Sequence, residues 1–245
     1  MPRGAQPKIA ERESRMIYTA IKLFLENGYE NTTTTAIAKA AGMTTSTFFA
    51  VFPNKESLLL SLTKWMYEKQ FAITDKALRE RYGDDYARVM FYVLEPAIQL
   101  AIAERSEGLR ELYVSSFSYK ITLDFIYEVV TDKLVELFSD SMPEYSHRDF
   151  YEIEIANAGI TRNYMAQSCT PDFTLEQKLR RYLTFGMTLY HIDPEEQQRI
   201  IDEVLGFDLK SLAEEVVAEA VSEAEEQYQA AVRRGQAQER ARRRD

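Results

Sequence analysis

The chain has 245 residues, 45% of them apolar and 28% charged, and a net charge of −9; that is enough apolar material for one large or two small cored domains. No run of about 18 apolar residues occurs, so no membrane span is expected, and the polar opening at 1–8 lacks the apolar stretch of a secretory leader. The single cysteine, Cys169, excludes an internal disulfide and suits a reducing cytoplasm.

Charge is distributed unevenly. Residues 1–70 carry nine basic against six acidic side chains, and the remainder carries 21 against 33. A mildly basic N-terminal piece on an acidic body is the asymmetry of a chain whose N-terminal end meets an anionic partner. The Pro- and Gly-bearing residues 1–9 are expected to form a flexible arm. Ile17, Ala20, Ile21, Phe24 and Leu25 then recur at helical spacing and make one apolar stripe. Asn27-Gly28 ends that helix, because Gly takes the left-handed conformation past a helix end without steric cost.

Two very short helices follow. Thr33 is positioned to cap the first, whose inner face is Ile37, Ala38 and Ala41, and Gly42 breaks it. Thr44 caps the second, whose inner face is Thr47, Phe48 and Val51, and Pro53 ends it. Asn54 caps a long fourth helix over 55–82, about 40 Å at 1.5 Å per residue. Further helices are expected at 85–104 (with Pro96 as a kink or a break), 107–117, 119–140, 147–169, 174–192, 195–206 and 208–238. Ser146 with Asp149 and Thr174 with Gln177 have the capping-box spacing. Asp193-Pro194 puts a cap before a proline at the first helical position. The fold class is therefore all-α.

Two short helices joined by a tight glycine turn form a helix-turn-helix. The second can lie in a DNA major groove, about 12 Å wide. Residues 32–55 hold seven threonines, more than capping requires. Their hydroxyls can meet phosphate oxygens and base edges, and a Thr methyl can pack on a thymine methyl. Lys55 adds a cation beside the groove.

The stretch "GYENTTTTAIAKAAGMTTSTFFAVFPNKESLL" resembles the DNA-binding domain of TetR-family transcriptional regulators, the likeness covering about residues 10–70. It rests on the Gly28 turn, the threonines opening the second helix, Ile37-Ala38, Ala41-Gly42, Thr47-Phe48-Phe49, Phe52 and Lys55-Glu56. The resemblance implies a three-helix DNA-binding domain at 10–70 and a larger helical ligand-binding and dimerisation domain at 71–245. It implies a cytoplasmic homodimer that represses from a palindromic operator and responds to a small-molecule effector. DNA contacts are implied at Thr33, Thr34, Thr44, Thr45, Ser46, Thr47, Phe49 and Lys55. Three positions depart from the family pattern: Ser46 replaces a common Gly, Phe49 a phosphate-binding Tyr, and Val51 an aromatic or His. Since residues 43–53 contain no Arg, Lys, Asn or Gln, bidentate base reading is closed to this helix. Specificity is expected from hydroxyls, methyl packing and DNA shape, with Arg3 or Lys8 of the arm reaching the minor groove.

An effector needs a mostly apolar cavity with a few polar groups, and Tyr113, Phe117 and Tyr164 are the candidate lining residues. Asn157, Asn163 and Gln167 are candidates for polar contacts. Subunit pairing is expected through 147–169 and 174–192, by way of Phe150, Ile153, Leu179, Leu183, Met187 and Tyr190. Residues 195–245 would cap the pocket or extend that interface. No HExxH, Cys-pair or Gly-rich phosphate motif occurs, so no catalytic residue, metal or cofactor is expected, and His147 and His191 read as surface or capping residues. The alternative to a regulator is a helical protein-interaction module that has lost specific DNA binding.

Overall fold

The computed structural model describes the backbone of residues 6–242 and the side chains of residues 9–237. Arg3 lies outside the described residues, as do the side chains of Lys8 and of the arginines from Arg240 onward. Among the described residues there are eleven α-helices and no strand ladder: α1 (Gln6–Asn27), α2 (Thr34–Ala40), α3 (Thr45–Val51), α4 (Lys55–Tyr82), α5 (Arg88–Ala103), α6 (Glu107–Ser116), α7 (Lys120–Phe138), α8 (His147–Ala166), α9 (Leu175–Leu189), α10 (Pro194–Leu205) and α11 (Leu209–Arg242).

Capping chemistry explains most boundaries. Thr33 and Thr44 accept the backbone N–H of Ala36 and Thr47 at 3.1 and 3.2 Å, and Asn54 accepts that of Ser57 at 2.7 Å. Both capping boxes form, Ser146 with Asp149 and Thr174 with Gln177. Asp193 accepts from Glu195 with Pro194 at the first helical position.

Several features of the helices differ from expectation. α1 opens at Gln6, so the end of the expected arm is helical. Pro96 does not split α5, which runs unbroken from 88 to 103; its ring removes only one N–H and leaves the Tyr92 carbonyl without its helical donor. α8 stops at Ala166 because the next residues are held otherwise: the Cys169 N–H donates to Glu104 at 3.0 Å, and buried Lys178 donates to the Gln167 carbonyl. α11 runs to Arg242.

The first three helices and the start of α4 close around Phe24, Ile37, Phe48 and Leu58, all fully buried. α4 then leaves this unit and enters the larger bundle, its inner side carrying Met66, Tyr67, Gln70 and Ile73. α5 is the bundle's central helix, with twelve of its sixteen residues buried. The face expected for subunit pairing is corrected in part: Phe150, Leu179, Leu183, Met187 and Tyr190 are buried within the chain's own core. They face inward because α8 and α9 cover α5. The exposed large apolar residues of these helices are Ile155 and Phe185.

α11 neither caps a pocket mouth alone nor stands apart. It returns along α5, α4 and α1. The Tyr18 and Tyr228 rings stack at 5.1 Å and 11°, and Lys69 pairs with Glu223 at 2.5 Å. α6 presses on α1 from another side. A Cβ on Gly108 would lie 2.7 Å from the Leu25 carbonyl oxygen, so only glycine permits this approach. The Glu111 carboxylate accepts the Glu30 N–H at 2.5 Å, and the Tyr119 hydroxyl donates to Glu30 at 3.0 Å. The N-terminal unit is thus tied to the bundle by α4, α6 and α11.

Gly108→Ala is expected to force α6 from α1 and to lower stability by about 1–3 kcal/mol, as overpacking does. Urea unfolding checks this; an unchanged midpoint would mean the contact yields freely.

Candidate nucleic-acid interface

The turn between α2 and α3 is closed by backbone bonds. Met43 N–H reaches the Ala38 carbonyl at 2.8 Å and Gly42 N–H reaches Lys39 at 3.0 Å. Gly42 has φ +69°, which a side-chain-bearing residue adopts only at a cost. Beneath the turn, Phe48 is fully buried, with its ring 5.5 Å from Phe49 and 5.8 Å from Phe52. That anchor sets which side of α3 faces out.

The outward side carries most of the residues expected to meet DNA. Thr44 and Ser46 are exposed, Thr45 and Thr47 half-buried, and Phe49 is 49% exposed. Thr33 is exposed and Thr34 half-buried at the start of α2. The hydroxyls divide their labour. Thr44 Oγ1 lies 2.9 Å from Ser46 Oγ and 2.8 Å from Thr47 Oγ1, so these three form one hydrogen-bonded cluster. Thr32, not among the expected contacts, is buried and donates to the Gly28 carbonyl at 2.7 Å.

Lys55 has a different place. Its ammonium donates to the carbonyls of Tyr29 at 2.9 Å and Thr32 at 3.3 Å, 4.0 Å from the centre of the Tyr29 ring. Two of its three donors therefore hold the loop between α1 and α2. The cations nearest the recognition helix come from α1. Arg12 and Arg15 share an open concavity with Glu11, Met43, Thr44 and Thr47. Arg12 is exposed and forms no ion pair among the described residues, whereas Arg15 leans toward Tyr228, 5.8 Å from its ring centre. Neither arginine was singled out from sequence. The available signal was the basic excess of 1–70, which α3 itself cannot supply.

Two small, partly open cavities border the larger unit. One, of about 40 Å³, lies among α4, α5, α7, α8 and α9; its walls include Phe71, Phe91, Phe117, Tyr182, Glu95 and Glu154. The other, of about 50 Å³, is wholly apolar and lies where α1, α4, α6 and α11 meet, lined by Ile21, Leu62, Trp65, Leu112, Tyr113 and Val216 among others. Of the expected pocket residues, Phe117 lines the first and Tyr113 the second; the Tyr113 hydroxyl points away from that cavity and donates to Gln70 at 2.5 Å. Tyr164 lines neither and packs edge-on against Tyr182 at 5.7 Å. Asn157 faces the first cavity, while Asn163 and Gln167 are exposed. No described helix is long and apolar enough to cross a membrane, and no group of three or more metal-ligating side chains occurs among the described residues.

Residues 17–62 match the family model described as bacterial regulatory proteins, tetR family. Three bacterial relatives share parts of the chain. The HTH-type transcriptional regulator YuxN of Bacillus subtilis is 43% identical over 61 residues, 25% of this chain and 21% of its own length. The HTH-type transcriptional regulator EthR of Mycolicibacterium smegmatis is 30% identical over 82 residues, 34% of this chain and 38% of its own. YerO of Bacillus subtilis, also an HTH-type transcriptional regulator, is 26% identical over 171 residues, 63% and 55% respectively. The chain thus spans less than two thirds of each of these relatives.

The two cations make opposite predictions. Arg12→Ala is expected to reduce the log–log salt slope of DNA binding by about one unit with little change in stability. Lys55→Met is expected to lower stability by about 1–3 kcal/mol, the scale of lost charge-assisted hydrogen bonds. Fluorescence anisotropy over a salt series, together with urea unfolding, separates these effects.

Proposed function

We propose that this chain, which through its N-terminal domain is a member of the TetR family of bacterial regulatory proteins, is a cytoplasmic, ligand-responsive repressor that binds a palindromic operator as a homodimer. Residues 10–70 meet DNA, and residues 71–245 sense the effector and pair the subunits. One observation carries the reading. A glycine-closed turn, anchored by Phe48, presents Thr44, Thr45, Ser46 and Phe49 on the free side of a short helix, within the segment that matches the family.

Hydroxyls and one aromatic ring make a distinctive reading head. They offer single hydrogen bonds and methyl or ring packing, without the bidentate pairs that discriminate G or A by about 1–3 kcal/mol each. DNA shape then carries a large share of sequence preference, and Arg12 supplies the nearby positive charge.

Pairing through α8 and α9 is supported by the exposure of Ile155 and Phe185, at 43% and 52%. Coupling to the effector follows from α4, which is continuous from the DNA-binding unit to the cavity walls at Tyr67 and Phe71. A two-fold dimer must match half-sites about 34–36 Å apart. A small movement of α4 in each subunit therefore misplaces a recognition helix, and regulation needs only about 1–3 kcal/mol of coupling.

Selection of bound duplexes from random DNA tests the reading. The expected product is a two-fold symmetric motif bound by two subunits, with affinity that falls steeply with salt. No enrichment, together with salt-independent behaviour, would overturn it in favour of a protein-interaction module.

A further inference from the structure

The cavity among α4, α5, α7, α8 and α9 contains two carboxyl groups that no cation among the described residues neutralises. Glu154 is 2% exposed. Its only recorded side-chain partner is the neutral amide of Asn157, at 3.1 Å. Glu95 borders the same space and accepts from the neutral amide of Gln70 at 2.6 Å. Lys133 at the cavity wall is engaged elsewhere, paired with Glu136 at 2.9 Å and lying 4.6 Å from the centre of the Phe91 ring.

One further polar atom in the wall, Asn157 Oδ1, is buried on a residue 6% exposed and has no protein partner. The amide of Gln99, 2% exposed, has only the Tyr67 hydroxyl beside it. Buried polar groups without partners are uncommon and costly. Six aromatic residues, Tyr67, Phe71, Phe91, Tyr92, Phe117 and Tyr182, share the wall with aliphatic side chains such as Val130 and Leu134.

We propose that this cavity is the effector site and that its ligand is a small organic cation, a protonated primary amine. The identification deepens the regulatory reading above and rests on it. A primary ammonium carries three N–H donors and no acceptor, which matches two carboxylates and the free Asn157 oxygen. The ring faces add cation–π attraction. A volume of about 40 Å³ is room for about three water molecules. The ammonium head and its first carbons fit, and a longer chain must part α4 from its neighbours.

Burying the two carboxyls has a proton cost that a cation would relieve. Burial pushes Glu95 up to about 7 and Glu154 to about 8; the Gln70 and Asn157 amides oppose the two shifts, and Glu95 adds to that of Glu154. Both values exceed the unfolded 4.5. The contribution of these two groups to stability is therefore fullest below pH 4.5 and falls as pH rises toward the folded values. The phenols facing the site, Tyr67, Tyr92 and Tyr182, are pushed up by burial and stay neutral. Lys133 is the facing cation.

Calorimetric titration of the full chain with n-butylammonium, against 1-butanol and butyrate, tests the proposal. The expected result is that the amine binds at least ~10-fold tighter than the alcohol, and that butyrate binds weakest. Affinity for the amine should rise with pH from 6 to 8, by up to ~10-fold per unit while a carboxyl must release its proton. Glu154→Gln and Glu95→Gln should each lose ~10-fold or more for the amine and leave the alcohol unchanged. Both variants should gain thermal stability at pH 8, so failure to fold is not the expected obstacle. Equal binding of amine and alcohol, preference for butyrate, or no binding at millimolar amine would overturn the proposal. DNA affinity measured separately keeps the two readings apart. Release of DNA by a ligand other than an amine would sink the cation assignment alone. Amine binding that leaves DNA affinity unchanged would sink its role as effector.

Discussion

α1 is asked to do two jobs at once. Its inner residues Met16, Ala20 and Phe24 have no exposed surface, and each large side chain so buried contributes about 1.5–3 kcal/mol. Part of that burial is against α2 and α3, which are too short to be stable alone. The rest is against α6 and α11, which belong to the larger unit. A seven-residue recognition helix keeps its orientation only while α1 is held, and α1 is held from both sides. Rigidity of the reading head is therefore a property of the whole chain.

The contacts that tie the two units together are of unequal kind. Gly108 against the Leu25 carbonyl and the stacked Tyr18–Tyr228 pair depend on shape, and a sub-ångström displacement spoils them. The ion pair Lys69–Glu223 is partly exposed and contributes about 0–1 kcal/mol. Movement of α4 thus meets resistance mainly from packing, which tends to switch between arrangements rather than deform gradually. That is the behaviour a two-state regulator requires.

Legibility from sequence followed the range of the interactions. The caps at Thr33, Thr44, Asn54, Ser146, Thr174 and Asp193 are made within three residues, and the helix starts they mark were readable. So was the glycine turn at Gly42, whose φ of +69° is a local matter. Phe48 inside followed from helical spacing, whereas Phe49 outside followed only from the family resemblance. The larger unit was less legible because amphipathic helices show which face is buried but not what buries it. Phe150 and Leu183 read as a subunit interface, but they are buried in the chain's own core, where α8 and α9 cover α5. Lys55 was a cation in the right segment, yet the carbonyls of Tyr29 and Thr32 had the prior claim on it. Glu95 and Glu154 gave no sequence signal at all. Among the 39 acidic residues, only the fold distinguishes two that lie inside.

That last point bears on why such residues persist in the interior. Removing an uncompensated carboxyl from a core relieves desolvation, and a hydrophobic or amide replacement of similar shape is often neutral or stabilising. Glu154 lies in a wall that already contains six aromatic residues, where another apolar side chain would pack without difficulty. Its amide partner Asn157 leaves its own oxygen unsatisfied, so the pair does not close on itself as a structural network does. A core optimised for stability alone would not keep this arrangement. Buried polar atoms without partners occur elsewhere too, at Tyr29, Thr74 and Thr131, but both carboxyls border the cavity that touches α4, the helix shared with the DNA-binding unit. On the proposal above, a ligand that meets those carboxyls gains purchase on the position of the recognition helix.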